Sequence, residues 1–313
     1  MRMKTMRRGL VCAGLMIAAV AAPAGAQQVA DSAFAPAITR PAFAEGAGPL
    51  VLVDEAHTNF HTTDGRYYTF AQTMRRDGYV VRGLRTPFTR QALAGARVLV
   101  IANALHPSNA QNWALPTPSA FTPDEIAAVE AWVREGGSLV LIADHMPMPG
   151  AAGDLAAAFG VAMGNGFAFD STEQVSTMRF TRGEGSLADH AITRGRDAAE
   201  RVDSVFAFTG QAFRVTAPGA EPLMTLGPGS VLLLPEVAWQ FSAQTRRENV
   251  AGQLQGAVLR HGGGRVAVFG EAAMFSAQLA GPQRQPMGMN NPGAPQNAQF
   301  LLNVMHWLTG VLD

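Results

Sequence analysis

The stretch from Pro49 to Tyr68 constrains the fold of this 313-residue chain more than any other. It opens with a continuous apolar run, Leu50 to Val53, which is typical of a buried strand. Polar side chains follow at once, and they are Asp54, Glu55, His57, Asn59 and His61. Apolar residues then recur with helical spacing at Tyr67, Phe70, Ala71 and Met74. The stretch therefore predicts one unit of an α/β fold, a buried strand followed by a polar loop and a helix.

Three more apolar runs end at polar residues in the same way. The runs are 96–102 before Asn103 and His106, 138–143 before Asp144 and His145, and 265–269 before Gly270 and Glu271. Helices are predicted between them, the clearest beginning at Thr122 with Pro123 in its first turn. Residues 249–261 and 298–308 also predict helices, whereas 202–215 and 229–239 predict antiparallel strands at a sheet edge. The fold class predicted is therefore α/β, with a doubly wound, mostly parallel sheet of flavodoxin-like or amidotransferase-like type.

The first residues predict a secretory signal peptide. Basic residues precede an apolar run from Gly9 to Ala22, and Ala24-Gly25-Ala26 forms a small-residue cleavage site. The expected organisation is a signal peptide over 1–26, a flexible tail over 27–47 and a single α/β domain over 48–313. We expect cleavage near Ala26 and a periplasmic or secreted mature protein.

Composition excludes several kinds of chemistry from that mature protein. The chain has one cysteine, Cys12, and one lysine, Lys4, and both lie in the predicted signal peptide. The mature chain therefore has no disulfide, thiol nucleophile or lysine base. Losing four of 24 basic residues against 24 acidic ones leaves a net charge near −4. We therefore expect no nucleic-acid partner and, after signal removal, no membrane span, while the oligomeric state stays open.

Ionisable residues at the strand ends predict a site. The carboxyl ends of parallel strands meet at one sheet edge, where α/β proteins bind ligands. The candidate catalytic residues are Asp54, His57, Asp144, His145 and Glu271. Candidate ligand contacts at the same edge are Glu55, Asn59, His61, Arg66, Tyr67, Asn103 and His106. As an alternative, polar residues also terminate strands and cap loops without any function.

These side chains could act as general acid and base or hold a divalent ion. No HExxH or similarly spaced ligand motif is present, so a divalent metal is possible and no cofactor is certain.

Residues 280–297 contain four prolines and three glycines. We expect an irregular loop that covers the site, with Met287, Met289, Asn290 or Asn291 lining it. A mobile surface loop is the alternative.

Four stretches carry a resemblance to a known family. They are Asp54 to His57, Gly136 to His145, His190 to Gly195 and Gly263 to Glu271. In order and spacing they resemble the class I glutamine amidotransferase-like superfamily, and more narrowly a domain family of unknown function on secreted bacterial proteins. The resemblance covers most of residues 49–309.

Catalytic members of that superfamily place a cysteine on the sharp turn after a central strand, where this chain has Asp144 or His145. Their His-x-Glu partner is also absent, because Glu271 has no histidine two residues before it. Glutamine amidotransfer by a thiolate is therefore excluded. The expected function is hydrolysis of a small polar or carbohydrate-like substrate. The alternative is a non-catalytic ligand- or protein-binding domain that has lost amidotransferase chemistry.

Overall fold

The computed structural model describes residues 28–172 and 174–313, so the predicted signal peptide lies outside the described residues. The strands, in chain order, are β1 (Gln28–Ala30), β2 (Leu50–Asp54), β3 (Val80–Leu84), β4 (Ala96–Ala102), β5 (Ser138–Ile142), β6 (Val161–Met163), β7 (Phe167–Asp170), β8 (Met178–Thr181), β9 (Ser204–Ala207), β10 (Phe213–Val215), β11 (Glu221–Thr225), β12 (Ser230–Leu234), β13 (Arg246–Asn249), β14 (Leu254–His261), β15 (Gly264–Phe269), β16 (Ala277–Ala280) and β17 (Gln285–Gly288). The α-helices are α1 (Tyr68–Arg76), α2 (Pro123–Arg134), α3 (Met148–Ala158), α4 (Ala191–Arg194) and α5 (Asn297–Thr309).

The largest sheet has nine strands in the order β3-β2-β4-β5-β15-β14-β10-β6, with β11 also paired to β14. The first five of these strands run parallel. Strands β14, β10, β6 and β11 pair antiparallel, as do all strands of three smaller sheets, β1-β16-β17, β13-β12-β7 and β8-β9. The predicted doubly wound, mostly parallel fold is therefore wrong, because the sheets are mixed and most strands pair antiparallel.

The error arises where the sequence predicts a helix over residues 249–261. This segment instead supplies β14, which turns through Gly262 and Gly263 directly into β15. The glycine turn forms a hairpin, so no crossover helix intervenes and the two strands run antiparallel. Its apolar run is buried on both faces, and such a run does not distinguish a strand from a buried helix by its spacing.

The helices cover both faces of the large sheet. Helices α1 and α5 contribute to one hydrophobic cluster, and α2 and α3 contribute to the other. Helix α2 begins as predicted, with a capping box in which Thr122 accepts from the Glu125 backbone and Glu125 bonds back to Thr122. The described residues contain no helix long and apolar enough to cross a membrane.

Two segments that the sequence predicts as irregular pack against the domain. Within the predicted tail, β1 pairs with β16, and Arg40 forms an ion pair with Glu200. Within the predicted loop, β16 and β17 form a hairpin in which Pro286 lies opposite Leu279. The proline is accommodated because β17 is the edge strand of its sheet, where a missing N–H leaves no broken pairing.

Candidate active site

The predicted site residues separate into two groups. Side chains from the ends of β4, β5 and β15 meet two residues of the loop between β2 and α1 at a cavity, and together they form the pocket cluster, defined as His61, Arg66, Asn103, Asp144, His145 and Glu271. Three residues at and just after the end of β2 form a buried ion cluster with a glutamate of α2, defined as Asp54, His57, Asn59 and Glu125. None of the second group lines the cavity.

The cavity has a volume of about 300 Å³. Besides the pocket cluster it is lined by Gln28, Phe60, Trp113, Met148, Phe208, Thr209, Trp239, Ala273, Gln278 and Met287. Most of these residues come from loops and from the β16–β17 hairpin, so the wall is assembled from distant parts of the chain.

Asn103 organises the centre of the pocket cluster. It follows β4 with a φ of 51°, in the left-handed region that asparagine tolerates better than most residues. Its Oδ1 accepts the backbone N–H of Asp144 at 2.9 Å, and its Nδ2 donates to Asp144 Oδ2 at 2.8 Å. Nδ2 also lies 3.2 Å from His61 Nδ1, which must therefore accept.

His61 is left with a free donor. Burial, followed by the positive charge of Arg66, holds the pKa of His61 well below its ordinary value, so the ring is neutral. With Nδ1 accepting, the proton resides on Nε2, an assignment that follows from the hydrogen-bond network. Within the described part of the chain this buried Nε2 has no hydrogen-bond partner.

Two buried carboxyl groups line the same cavity as His61. Asp144 Oδ1 accepts from the Ala272 backbone, and burial raises the pKa of Asp144 to about 7 against the opposing hydrogen bonds. Glu271 accepts from the backbone N–H groups of Ala273 at 2.6 Å and Met274 at 2.8 Å. Burial, together with the charge of Asp144, raises the pKa of Glu271 well above its ordinary value. The pair therefore retains protons at a pH where isolated carboxyls are ionised.

His145 offers a neutral acceptor. Its Nδ1 donates to the Met146 carbonyl at 2.8 Å, which leaves Nε2 unprotonated. Burial lowers the pKa of His145 to about 4. The ring stacks on Phe167 at 4.6 Å and meets the edge of Trp239 at 4.7 Å, so aromatic contacts fix its orientation.

Arg66 adds a positive charge to the cavity wall. Its guanidinium lies over the Phe60 ring, 4.4 Å from the centroid. In the described ranges no carboxylate forms an ion pair with it, although the charge of Asp144 partly offsets the burial that lowers its pKa. Tyr67, predicted as a ligand contact, is fully buried and does not line the cavity. Its hydroxyl donates to the Ala272 carbonyl at 3.0 Å, so it stabilises the turn next to Glu271.

The buried ion cluster is a closed network. His57 Nδ1 lies 2.8 Å from Asp54 Oδ1, and His57 Nε2 lies 2.9 Å from Glu125 Oε1. Asn59 Nδ2 donates to Asp54 Oδ2, and the Phe88 backbone donates to the same Glu125 Oε1 that His57 contacts. Glu125 Oε2 accepts from the backbone and hydroxyl of Thr122. Burial alone would lower the pKa of His57, but the hydrogen bonds and charges of the two carboxylates raise it. His57 therefore donates from both nitrogens and ties β2 to α2.

The other predicted ligand contacts lie away from the cavity. Glu55 binds Thr63 and Arg85, while His106 bonds Ser108 near the surface. In the predicted cover, only Met287 reaches the cavity. Met289 packs into the hydrophobic core, and Asn290 binds Asp31 and the Gln278 carbonyl.

Sequence reasoning did not identify the aromatic wall, Trp113, Phe208 and Trp239, or Gln278. Gln278 is buried, and its Nε2 donates a hydrogen bond to Ser276 Oγ at 2.7 Å. Its Oε1 has no hydrogen-bond partner among the described residues. These residues belong to loops or a hairpin strand, and no strand-end pattern marks them. The sequence marked Glu125 only as an acidic residue in the first turn of helix α2, and not as a member of a cluster with His57.

No group of three or more acidic, histidine or cysteine side chains in the described ranges has an arrangement suited to a metal ion. The described residues therefore supply no candidate ligand set for the divalent ion that the sequence left possible.

No protein-family model and no curated protein matches this sequence. Among solved structures, the mmIFT52 N-terminal domain is 15% identical with a TM-score of 0.58, over 83% of this chain and 97% of that chain. A protein described as ThuA-like from Bacteroides uniformis is 12% identical with a TM-score of 0.44, over 88% and 94%. A β-galactosidase from Rahnella sp. R3 is 12% identical with a TM-score of 0.43, over 83% and 31%. The first similarity shows the fold alone, and the other two carry no argument about function.

Proposed function

We propose that this protein hydrolyses a small polar, carbohydrate-like substrate in the cavity of the pocket cluster. One observation carries the proposal: two buried carboxyl groups with raised pKa values share a cavity with a neutral histidine whose acceptor nitrogen has no hydrogen-bond partner among the described residues. Paired titratable groups with displaced pKa values are typical of acid–base sites.

The groups of the pocket cluster have different roles in the proposed reaction. Asp144 in its protonated form donates to the oxygen of the leaving group, while His145 Nε2 accepts a proton from the attacking water. The bond from the substrate to the leaving oxygen breaks, and the water oxygen replaces it. His61 Nε2–H and Arg66 stabilise negative charge that develops on substrate oxygens. Proton return from His145 to Asp144 restores the starting state.

The wall of the cavity supports a hydroxylated ring as the substrate. Phe60, Trp113 and Trp239 offer aromatic surface to the C–H face of such a ring. The free donor of His61 and the free acceptor of Gln278 match hydroxyl groups, which both donate and accept. A volume of about 300 Å³ lies at the lower end of ligand pockets and suits one ring.

A non-catalytic binding domain is the second candidate, and one observation favours it. Asp144 and Glu271 both accept backbone N–H groups from the turn at 272–274, so they have a structural role that requires no turnover. In this case the same cavity would bind the ligand and release it unchanged.

The test is hydrolysis of 4-nitrophenyl glycosides and esters by the purified full chain as it is expressed, with and without chelator. The hydrolase proposal expects turnover with a bell-shaped dependence of kcat/KM on pH. Activity should require neutral His145, above about pH 4, and protonated Asp144, below about pH 7. Binding of intact substrate with no product over the whole pH range would favour the binding domain instead.

On the sequence alone, we further propose that the chain is exported to the periplasm or beyond, and that it is a relative of the class I glutamine amidotransferase-like proteins without their catalytic cysteine. Mass spectrometry of the mature N-terminus tests the first statement. An intact Met1 in the cytoplasm would contradict it.

A further inference from the structure

A second concavity adjoins the cavity of the pocket cluster. This aromatic cleft has a volume of about 360 Å³ and is lined by Phe167, Ala168, Phe169, Ser176, Thr209, Leu233, Trp239, Phe241 and Arg247. Trp239 and Thr209 line both spaces. The two concavities therefore meet at these residues.

The aromatic cleft exposes large apolar side chains. Trp239 is 48% exposed and Phe241 is 45% exposed, and they are two of four large hydrophobic residues exposed in the described ranges. Both pack against Phe167, with ring centroids 4.7 Å and 5.2 Å apart. Trp239 also has a φ of 67°, an unfavourable conformation for a tryptophan, which the surrounding contacts maintain. Aromatic rings held in this way beside a polar cavity are typical of a binding surface.

Phe167 connects the aromatic cleft to the proposed chemistry. Its ring stacks on His145 with an interplanar angle of 10°, so the proposed base and the cleft wall are in direct contact. Because Trp239 and Thr209 also line both spaces, a group carried by a substrate in the cavity can extend past them into the cleft. Among the described residues, the polar side chains that line the cleft are Ser176, Thr209 and Arg247, too few to satisfy the hydroxyls of a second sugar ring.

We propose that the aromatic cleft binds an aromatic leaving group of the same substrate. The inference rests on the proposed function and specifies its substrate class as a hydroxylated ring joined through oxygen to an aryl group. The polar ring occupies the cavity of the pocket cluster, and the aryl group stacks between Trp239 and Phe241. Hydrolysis breaks the bond from the ring carbon to this oxygen. The proton from Asp144 converts the leaving oxygen to a phenol, and the hydroxyl of water is added to the ring carbon.

The test compares equilibrium binding of 4-nitrophenyl and methyl 1-thioglycosides of the same sugars, which resist hydrolysis. The full chain should bind the aryl compounds at least about tenfold more tightly than the methyl compounds. Phe241→Ala should remove most of this preference and leave methyl thioglycoside affinity unchanged, because Phe241 lines only the aromatic cleft. Leu115→Ala is the matched control, since Leu115 is 51% exposed and lines neither space.

The outcomes separate this inference from the proposed function. Equal affinity for aryl and methyl compounds would overturn the aryl assignment and leave the polar cavity as proposed. An aryl preference that Phe241→Ala does not reduce would also overturn it. If neither series binds and 4-nitrophenol alone does not bind, both proposals fail. Binding of 4-nitrophenol alone, weakened by Phe241→Ala, would support the aromatic cleft while contradicting the sugar-like ring.

Discussion

The buried ion cluster and the pocket cluster are built from the same kinds of side chain and differ in their hydrogen bonding. In the buried ion cluster, both nitrogens of His57 face carboxylates, and Asp54 is fully buried. In the pocket cluster, His61 Nε2 lacks a partner among the described residues. Histidines and carboxylates at strand ends therefore do not identify a site by themselves. The unsatisfied groups facing a cavity do so, because a ligand can supply the missing partners.

The pKa shifts run in opposite directions in the two clusters. In the buried ion cluster, other interactions overcome burial. Hydrogen bonds to the two carboxylates and their charges raise the pKa of His57, and hydrogen bonds from Thr122, His57 and the Phe88 backbone lower that of Glu125. In the pocket cluster, burial dominates, so the pKa values of His61 and His145 fall while those of the two acids rise. The first cluster is thus an assembly of charged partners, whereas the second combines two neutral histidines and two proton-retaining carboxyl groups with the positive charge of Arg66.

The largest difference in activity between the two clusters is expected when one carboxyl group in each is changed to an amide. Asp144→Asn should lower kcat/KM at least about 100-fold, because the group that donates the proton is lost. Glu125→Gln should leave kcat/KM near the wild-type value. Steady-state kinetics on the responsive substrate, with folding checked by circular dichroism, measure both.

Equal losses of activity in the two variants would contradict the division into a structural and a functional cluster. A fall confined to Glu125→Gln would reverse the assignment and make the buried ion cluster the active one.

Histidine replacement should separate the clusters by stability. His57→Gln should lower the free energy of unfolding by about 3 kcal/mol, because it leaves Asp54 and Glu125 buried without a charged partner. His106→Gln, which loses only its exposed bonds to the hydroxyl and backbone N–H of Ser108, should change it by less than about 0.5 kcal/mol. Urea denaturation measures both values. A small effect of His57→Gln would mean that the buried ion cluster is not a structural tie.

Arg66→Met should weaken ligand binding with little effect on folding. Arg66 has no ion-pair partner in the described ranges and stands over Phe60, so its loss should cost only about 1 kcal/mol of stability. Ligand affinity should fall about tenfold, as expected for one charge-assisted hydrogen bond. Arg82→Met, at an exposed site on β3, is the matched control. Titration calorimetry with equal affinities for the two variants would remove Arg66 from the binding site.

The last expected effect concerns the pH dependence of stability. The raised pKa of Asp144 means that the folded state holds a proton that the unfolded state releases near pH 4. Its stabilising contribution is therefore present below about pH 4 and is lost as pH rises towards about 7. Wild type should therefore lose stability relative to Asp144→Asn as pH rises over this window.

The stabilising contribution of His57 is lost over a different pH range from that of Asp144. Its raised pKa contributes stability below its ordinary value and loses it as pH rises through the folded value, so wild type should lose stability above pH 6.5. His57→Gln should lack that slope. Urea denaturation from pH 4 to 9 follows both windows, and identical slopes in wild type and the two variants would contradict the opposite ionisation of the clusters.

The elements that the sequence predicted well have local causes. Strands β2, β4, β5 and β15 are continuous apolar runs ending at polar residues, and α2 begins at its capping box. The prediction for β14 failed because its short buried run fits a strand or a helix, and the choice depends on its pairing with β15. The β16–β17 hairpin was missed because an edge position tolerates Pro286, and edge positions are not visible in local sequence.

By itself the sequence determined which strands end in ionisable residues and that thiol and lysine chemistry are absent from residues 27–313. Only the tertiary structure decided that Asp54 and His57 are enclosed with Glu125, while Asp144 and Glu271 face a cavity. The physical reason is that protonation and partnership depend on burial and on neighbours far away in the chain. Glu125 lies 68 residues from His57, and the Ala272 backbone group that binds Asp144 lies 128 residues from it.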